Sequence, residues 1–154
     1  QMDAYRKTGA LDVDQELYSM LDRGHEKASL PYCAKHSIAF LAYSPLARGL
    51  LTGKIGPDRT FDKGDQRNSN ARFGADNRRK IADALEKLRP IADKHGLTIG
   101  QLVVAWTVAQ PGCTHALVGA RTPEQVRENA KGGAITLDKQ DLAAMAKVVD
   151  SLAG

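Results

Sequence analysis

Two short segments carry the residue types best suited to holding an anion. The first is Tyr43-Ser44-Pro45-Leu46-Ala47-Arg48-Gly49-Leu50-Leu51-Thr52-Gly53-Lys54. Ser44 offers a hydroxyl, and Arg48 and Lys54 offer positive charge. Gly49 and Gly53 let backbone N–H groups approach an anion closely. Together they suit a phosphate or a diphosphate, and Tyr43 can present its ring to a flat heterocycle. The second segment is Val118-Gly119-Ala120-Arg121-Thr122-Pro123-Glu124-Gln125-Val126-Arg127-Glu128-Asn129. Thr122 reads as a helix N-cap, Pro123 as the first helical residue and Gln125 as the N3 residue. The orphan N–H groups and positive dipole end of such a helix make a natural phosphate site. Arg121 lies just ahead and adds a bidentate donor. Gln125 and Asn129 are four apart and share a helix face, where they can read the edge of a base. Each segment also has a plainer reading. The first can be a tight turn with solvated Arg48 and Lys54, the second a capped helix with a polar outer face.

Other chemical motifs fail. The dinucleotide fingerprint G-x-G-x-x-G does not occur. Gly49 to Lys54 only loosely matches a Walker loop, and Ile55 stands where the magnesium-holding Ser or Thr belongs. Cys33 and His36 have the spacing of half a zinc site, but no second pair follows. They read as a buried thiol and a surface histidine, so no metal site is expected. None of His25, His36, His95 and His115 sits in a serine or cysteine motif of the triad kind. Trp106 lies on an apolar stripe and reads as core.

The elements that must position the two segments follow from periodicity. Residues 11–17 alternate apolar and polar, as a half-buried strand does. A short helix over 26–36 takes Pro31 in its first turn. Residues 38–43 are apolar throughout, the pattern of a strand buried on both faces in a parallel sheet. The first segment then lies at that strand's C-terminal end, where ligands bind in parallel α/β folds. Residues 47–75 predict a long loop, either functional or disordered. A helix over 77–95 is kinked at Pro90 and ended by Gly96. Thr98 and Gln101 form a capping-box pattern for the next helix, which stops at Pro111-Gly112. A short strand follows at 115–118, and a last helix runs over 138–151. Three strands separated by helices predict right-handed βαβ units.

Composition bounds the answer. The chain has 154 residues, 42% hydrophobic and 26% charged, which argues against wholesale disorder. No apolar run reaches the ~18 residues of a membrane span, and residues 1–7 lack the apolar stretch of a signal peptide. Two cysteines suit a reducing cytoplasm. A net charge of +4 is too mild for a dedicated nucleic-acid binder and suits a small anionic ligand. The length predicts one domain over residues 1–154. It is too short for a complete (β/α)8 barrel, which needs roughly 200 residues or more.

Taken together, the two segments resemble a known family. Residues 42–54 resemble the loop after the seventh barrel strand of aldo-keto reductases, and residues 118–129 the loop and helix after the eighth. Residues 91–96 and 101–106 resemble the helical region between them. The resemblance covers residues 11–150 and is strongest to the bacterial and potassium-channel β-subunit-like branches. It implies an α/β fold: the C-terminal part of a (β/α)8 TIM barrel, with parallel strands six to eight and their helices.

The resemblance also implies the cofactor NADP(H). Tyr43 would stack on the nicotinamide, and Gln15 would bond its carboxamide. Ser44, Leu46 and Arg48 would line the diphosphate with Lys54 nearby. Gly119 and Arg121 would meet the adenosine ribose and its 2′-phosphate. Gln125, Glu128 and Asn129 would hold the adenosine end, and Arg67 matches a family arginine. Asp14 departs from the pattern, because the family usually has Asn there. The Asp, Tyr, Lys and His that perform the family's proton chemistry come from the first half of the barrel and match no position here. The expected function is therefore that of a truncated reductase that binds NADP(H) without reducing carbonyls alone. The alternatives are a reductase active through another acid or a partner chain, and a non-catalytic interaction module. Unpaired sheet edges predict self-association.

Overall fold

The computed structural model describes residues 1–152. Helices α1 (Met2–Arg6), α2 (Ser29–His36), α3 (Ala75–Glu86), α4 (Arg89–Lys94), α5 (Ile99–Val108), α6 (Pro123–Gly133) and α7 (Lys139–Asp150) are interleaved along the chain with strands β1 (Val13–Leu17), β2 (Ala39–Tyr43) and β3 (His115–Leu117). The strands form one parallel sheet in the order β1-β2-β3. Phe40 and Ala42 of β2 point into the helical layer and are fully buried. They join a core that includes Tyr18, Leu50, Leu51, Leu85, Leu102, Trp106 and Met145. Trp106 stacks on Tyr18 with ring centroids 6.0 Å apart.

Local chemistry sets the boundaries. Thr98 and Gln101 make the reciprocal capping box at the start of α5. Gly96, at φ +62°, follows the last turn of α4. Its N–H donates to Asp93 O at 3.0 Å and that of Leu97 to Ala92 O at 2.9 Å, the two bonds of a Schellman motif. Pro90 does more than kink a helix. It breaks the expected 77–95 helix into α3 and α4, with Glu86 the last residue of α3 and Pro90 in the first turn of α4. The cause is the proline ring, which lacks an N–H and clashes with the carbonyl four residues back, here Glu86.

Strand β1 also departs from expectation. Its apolar face is not the one turned to the helices. Asp14 and Glu16 face that layer, where Cys33 Sγ donates to Asp14 Oδ2 at 3.7 Å. Val13 is 48% exposed, and Tyr43 and Leu117 are each 39% exposed on the same sheet face. The described residues leave these three side chains substantially exposed. The alternation of 11–17 marks two unlike faces but does not say which one this chain covers.

Cys33 and Cys113 are both buried free thiols. Burial pushes each thiol pKa up to about 11. His36 lies half-buried against the Tyr32 ring, 4.3 Å between centroids. Among the described residues no group of His, Cys, Asp and Glu could hold a metal ion.

Candidate functional site

The loop after β2 is short of ordinary backbone. Ser44, Ala47 and Arg48 all have left-handed φ, at 55°, 47° and 55°. Each such non-glycine residue costs about 1–2 kcal/mol, so packing must hold it. Leu50 and Leu51 bury themselves in the core and anchor the turn. Ala47 N–H donates to Ser44 O at 2.8 Å, and Thr52 Oγ donates to Gly49 O at 2.7 Å. Concentrated strain of this kind is characteristic of functional loops. The stretch from 47 to 75, expected as one long loop, instead contains three 3-10 turns at Ala47–Thr52, Gln66–Ser69 and Ala71–Phe73.

The second segment is built on α6. Thr122 Oγ accepts from Gln125 N–H at 3.3 Å, as an N-cap does. The Gln125 side chain does not close a capping box on Thr122. Its longer reach carries Oε1 back to the Arg121 N–H, 2.7 Å away. Gly132 fixes where α6 lies. A Cβ there would sit 2.6 Å from Gln101 O, so only glycine lets α6 pack this closely on α5. Gln101 Nε2 also donates to Glu128 O at 3.0 Å.

These two loops meet in one cleft of about 810 Å³. Ser44, Leu46, Arg48 and Lys54 line it from the first loop, and Gly119, Arg121, Gln125, Glu128 and Asn129 from the second. Asp65, Gln66 and Arg67 complete a wall. Tyr43 and Gln15 do not line the cleft. They lie on the open sheet face, Tyr43 paired with Leu17 and Leu117, and Gln15 in the row of Leu41 and His115. A Cβ built on Gly119 meets nothing within 4 Å, so its backbone is open.

Charge in the cleft is partly cancelled. Arg67 is held by both oxygens of Asp65, and Lys54 Nζ lies 3.6 Å from Glu128. The Arg67 guanidinium holds the Asp65 carboxyl down to about 2. Arg48 and Arg121 make no side-chain hydrogen bond or salt bridge among the described residues. Two guanidinium groups with unused donors therefore share the cleft with the face of α6 that carries Gln125, Glu128 and Asn129. Such a site recognises phosphate oxygens.

Comparisons with known proteins place the chain in a family. The model of the aldo/keto reductase family matches residues 2–150. This chain belongs to the aldo/keto reductase family. It is 38% identical over 148 residues to a protein of Escherichia coli named NADH-specific methylglyoxal reductase, covering 96% of this chain and 45% of the relative. It is 36% identical over 129 residues to a probable voltage-gated potassium channel subunit beta of Arabidopsis thaliana, covering 77% of this chain and 37% of that one. The glycerol dehydrogenase AKR11B4 of Gluconobacter oxydans superposes with a TM-score of 0.87 at 34% identity, over 96% of this chain and 45% of its own. The chain thus spans less than half the length of these relatives. Its three parallel βα units are part of an aldo-keto reductase TIM barrel.

One constellation escaped the sequence reading. His25 Nδ1 lies 2.9 Å from Ser29 Oγ, and His25 Nε2 lies 3.6 Å from the Glu16 carboxylate. Ser29 is four residues from His25, but Glu16 reaches it only through the fold. None of the three lines the cleft. Arg67, matched through the resemblance, lines the cleft, but its pairing with Asp65 was hidden, because it depends on a turn inside what reads as a loop.

Proposed function

We propose that this chain is the dinucleotide-binding part of an aldo-keto reductase and that its cleft holds NADP(H). The carrying observation is the placement of Arg48 and Arg121, both without ion-pair partners among the described residues, in one cleft with the Gln125–Asn129 face of α6 and the open backbone of Gly119. In this reading Ser44, Leu46 and Arg48 line the diphosphate, with Lys54 beside them. Gly119 and Arg121 meet the ribose and its 2′-phosphate. Gln125, Glu128 and Asn129 hold the adenine end. Tyr43 supports the nicotinamide face, and Gln15 meets the carboxamide from the same sheet face. When bound, the cofactor supplies a hydride. This segment orients it and contributes no proton donor of the family kind.

The phosphorylated cofactor is favoured over NADH by Arg121, whose guanidinium is not consumed by a carboxylate bond. The E. coli relative is named for NADH, so the preference is a property to measure. NADPH and NADH are titrated against the purified chain, with cofactor fluorescence as the signal. NADPH is expected to bind more tightly. No binding at millimolar NADPH overturns the reading. The same samples are mixed with simple aldehydes, and no loss of NADPH is expected from this chain alone. Two buried reduced thiols suit a reducing compartment such as the cytoplasm.

A further inference from the structure

Arg78 on α3 is the outlier among the buried side chains. It is only 9% exposed, yet no carboxylate of the described residues pairs with it. A buried cation without a counter-ion is costly and calls for a physical reason. Its Nη1 donates to two backbone carbonyls, Gly56 O at 3.0 Å and Arg59 O at 2.5 Å. Its Nε has no hydrogen-bond partner among the described residues. The guanidinium carbon also lies 5.7 Å from the Phe61 ring centroid.

The contacts continue from there to the cleft. Arg67 stacks on the same Phe61 ring at 4.2 Å, and Phe61 packs edge-on against buried Phe73 at 5.7 Å. Arg67 in turn bonds Asp65, and Asp65, Gln66 and Arg67 wall the cleft. Arg78 itself does not line the cleft.

We propose that Arg78 is a positioning residue for the cleft: it pins the 56–59 turn and, through Phe61, sets the Asp65–Arg67 wall. A guanidinium suits the task because its planar fork can bond two carbonyls from one nitrogen while its face meets a ring. The charge is tolerated because two carbonyl dipoles and the aromatic face replace water.

The proposal rests on the cofactor reading for one arm of its test only. Arg78→Gln, Arg78→Lys and Phe61→Leu are compared with the parent chain. The first arm is limited trypsin digestion followed by mass spectrometry. It reads cleavage after Arg59, Lys63 and Arg67 against control sites at Lys35, Arg127 and Lys147. Arg78→Gln is expected to raise cleavage in 59–67 about tenfold, with the control sites unchanged. Arg78→Lys restores part of the protection, since an ammonium can still reach a carbonyl. Phe61→Leu frees Arg67 while leaving the Arg59 site protected. The second arm is NADPH titration, where Arg78→Gln is expected to raise Kd about tenfold.

Cleavage that rises equally at all sites makes Arg78 a general stability residue and overturns the proposal. Local cleavage with an unchanged Kd overturns its link to the cleft. Unchanged cleavage in a folded Arg78→Gln chain overturns the pinning. A parent chain that does not bind NADPH defeats the cofactor reading, while the digestion arm still decides whether Arg78 and Phe61 set the wall.

Discussion

At the scale of residues, the cleft is defined by which cations remain unspent. Arg67 and Lys54 are ion-paired with carboxylates, whereas Arg48 and Arg121 are in no salt bridge among the described residues. Removing one of the second pair should therefore matter more than removing one of the first. Arg48→Ala and Arg121→Ala are each expected to weaken NADPH binding about ten- to a hundredfold, the scale of one or two charge-assisted bonds. Arg121→Ala should also narrow the gap between NADPH and NADH, whereas Arg48→Ala should weaken both alike. Paired fluorescence titrations separate the two patterns, and equal losses for both cofactors in both variants would sink the assignment of Arg121 to the 2′-phosphate. Nine of the residues that line the cleft were legible because two contiguous segments carry them. The partners that neutralise Lys54 and Arg67 were not, because Glu128 lies 74 positions beyond Lys54 and Asp65 acts through a turn. The contact of Glu16 with His25 was hidden for the same reason.

At the scale of elements, caps and breaks were readable and facing was not. A cap is settled within four residues, so Thr98, Thr122 and Gly96 mark their helices without help from the fold. Pro90 was legible as a disturbance, but a complete break also needs the short connector at residues 87–88. Which face of β1 meets the helices depends on everything packed behind it, and the sequence pattern is silent there. Gly132 belongs to the same class, since an unremarkable glycine near a helix end turns out to set the approach of α6 to α5. Gly132→Ala should cost about 1–3 kcal/mol through overpacking, measured as a lower urea midpoint, and should weaken NADPH as α6 shifts. A variant as stable as the parent would mean that α6 can move away freely.

The start of α7 is clamped by charged groups. Asp141 accepts from Lys94 Nζ at 2.8 Å and lies 2.7 Å from His95 Nε2, and Asp138 accepts from Lys94 Nζ at 2.9 Å. The Lys94 hydrogen bond leads in depressing the Asp141 carboxyl, and the Asp141 backbone N–H leads for Asp138. Depressed carboxylates stabilise the fold fully above the ordinary carboxylate range and lose that contribution as pH falls through their folded values. Urea stability should thus be level near neutrality and decline below about pH 4. The decline should be shallower in Asp141→Asn, which starts less stable. Parallel pH curves for parent and variant would remove Asp141 from this account.

At the scale of the whole molecule, the sheet is bare on one side and at both edges. Val13, Tyr43 and Leu117 form an apolar face, and β1 and β3 each have one unpaired edge. Exposed apolar patches and free strand edges favour association. Light scattering should show mass rising with concentration, and Val13→Lys with Leu117→Lys should suppress it. A parent chain that stays monomeric at high concentration contradicts this expectation. The parallel α/β class was legible from one alternating and two apolar segments separated by helical periods, and the barrel from the family resemblance, but what completes the sheet is not written in these residues. The two sulfhydryls offer an independent gauge of that incompleteness. Both are buried, so a maleimide captures them chiefly in molecules that have opened. The capture rate then serves as a clock for opening, and anything that truly closes the bare sheet should slow that clock.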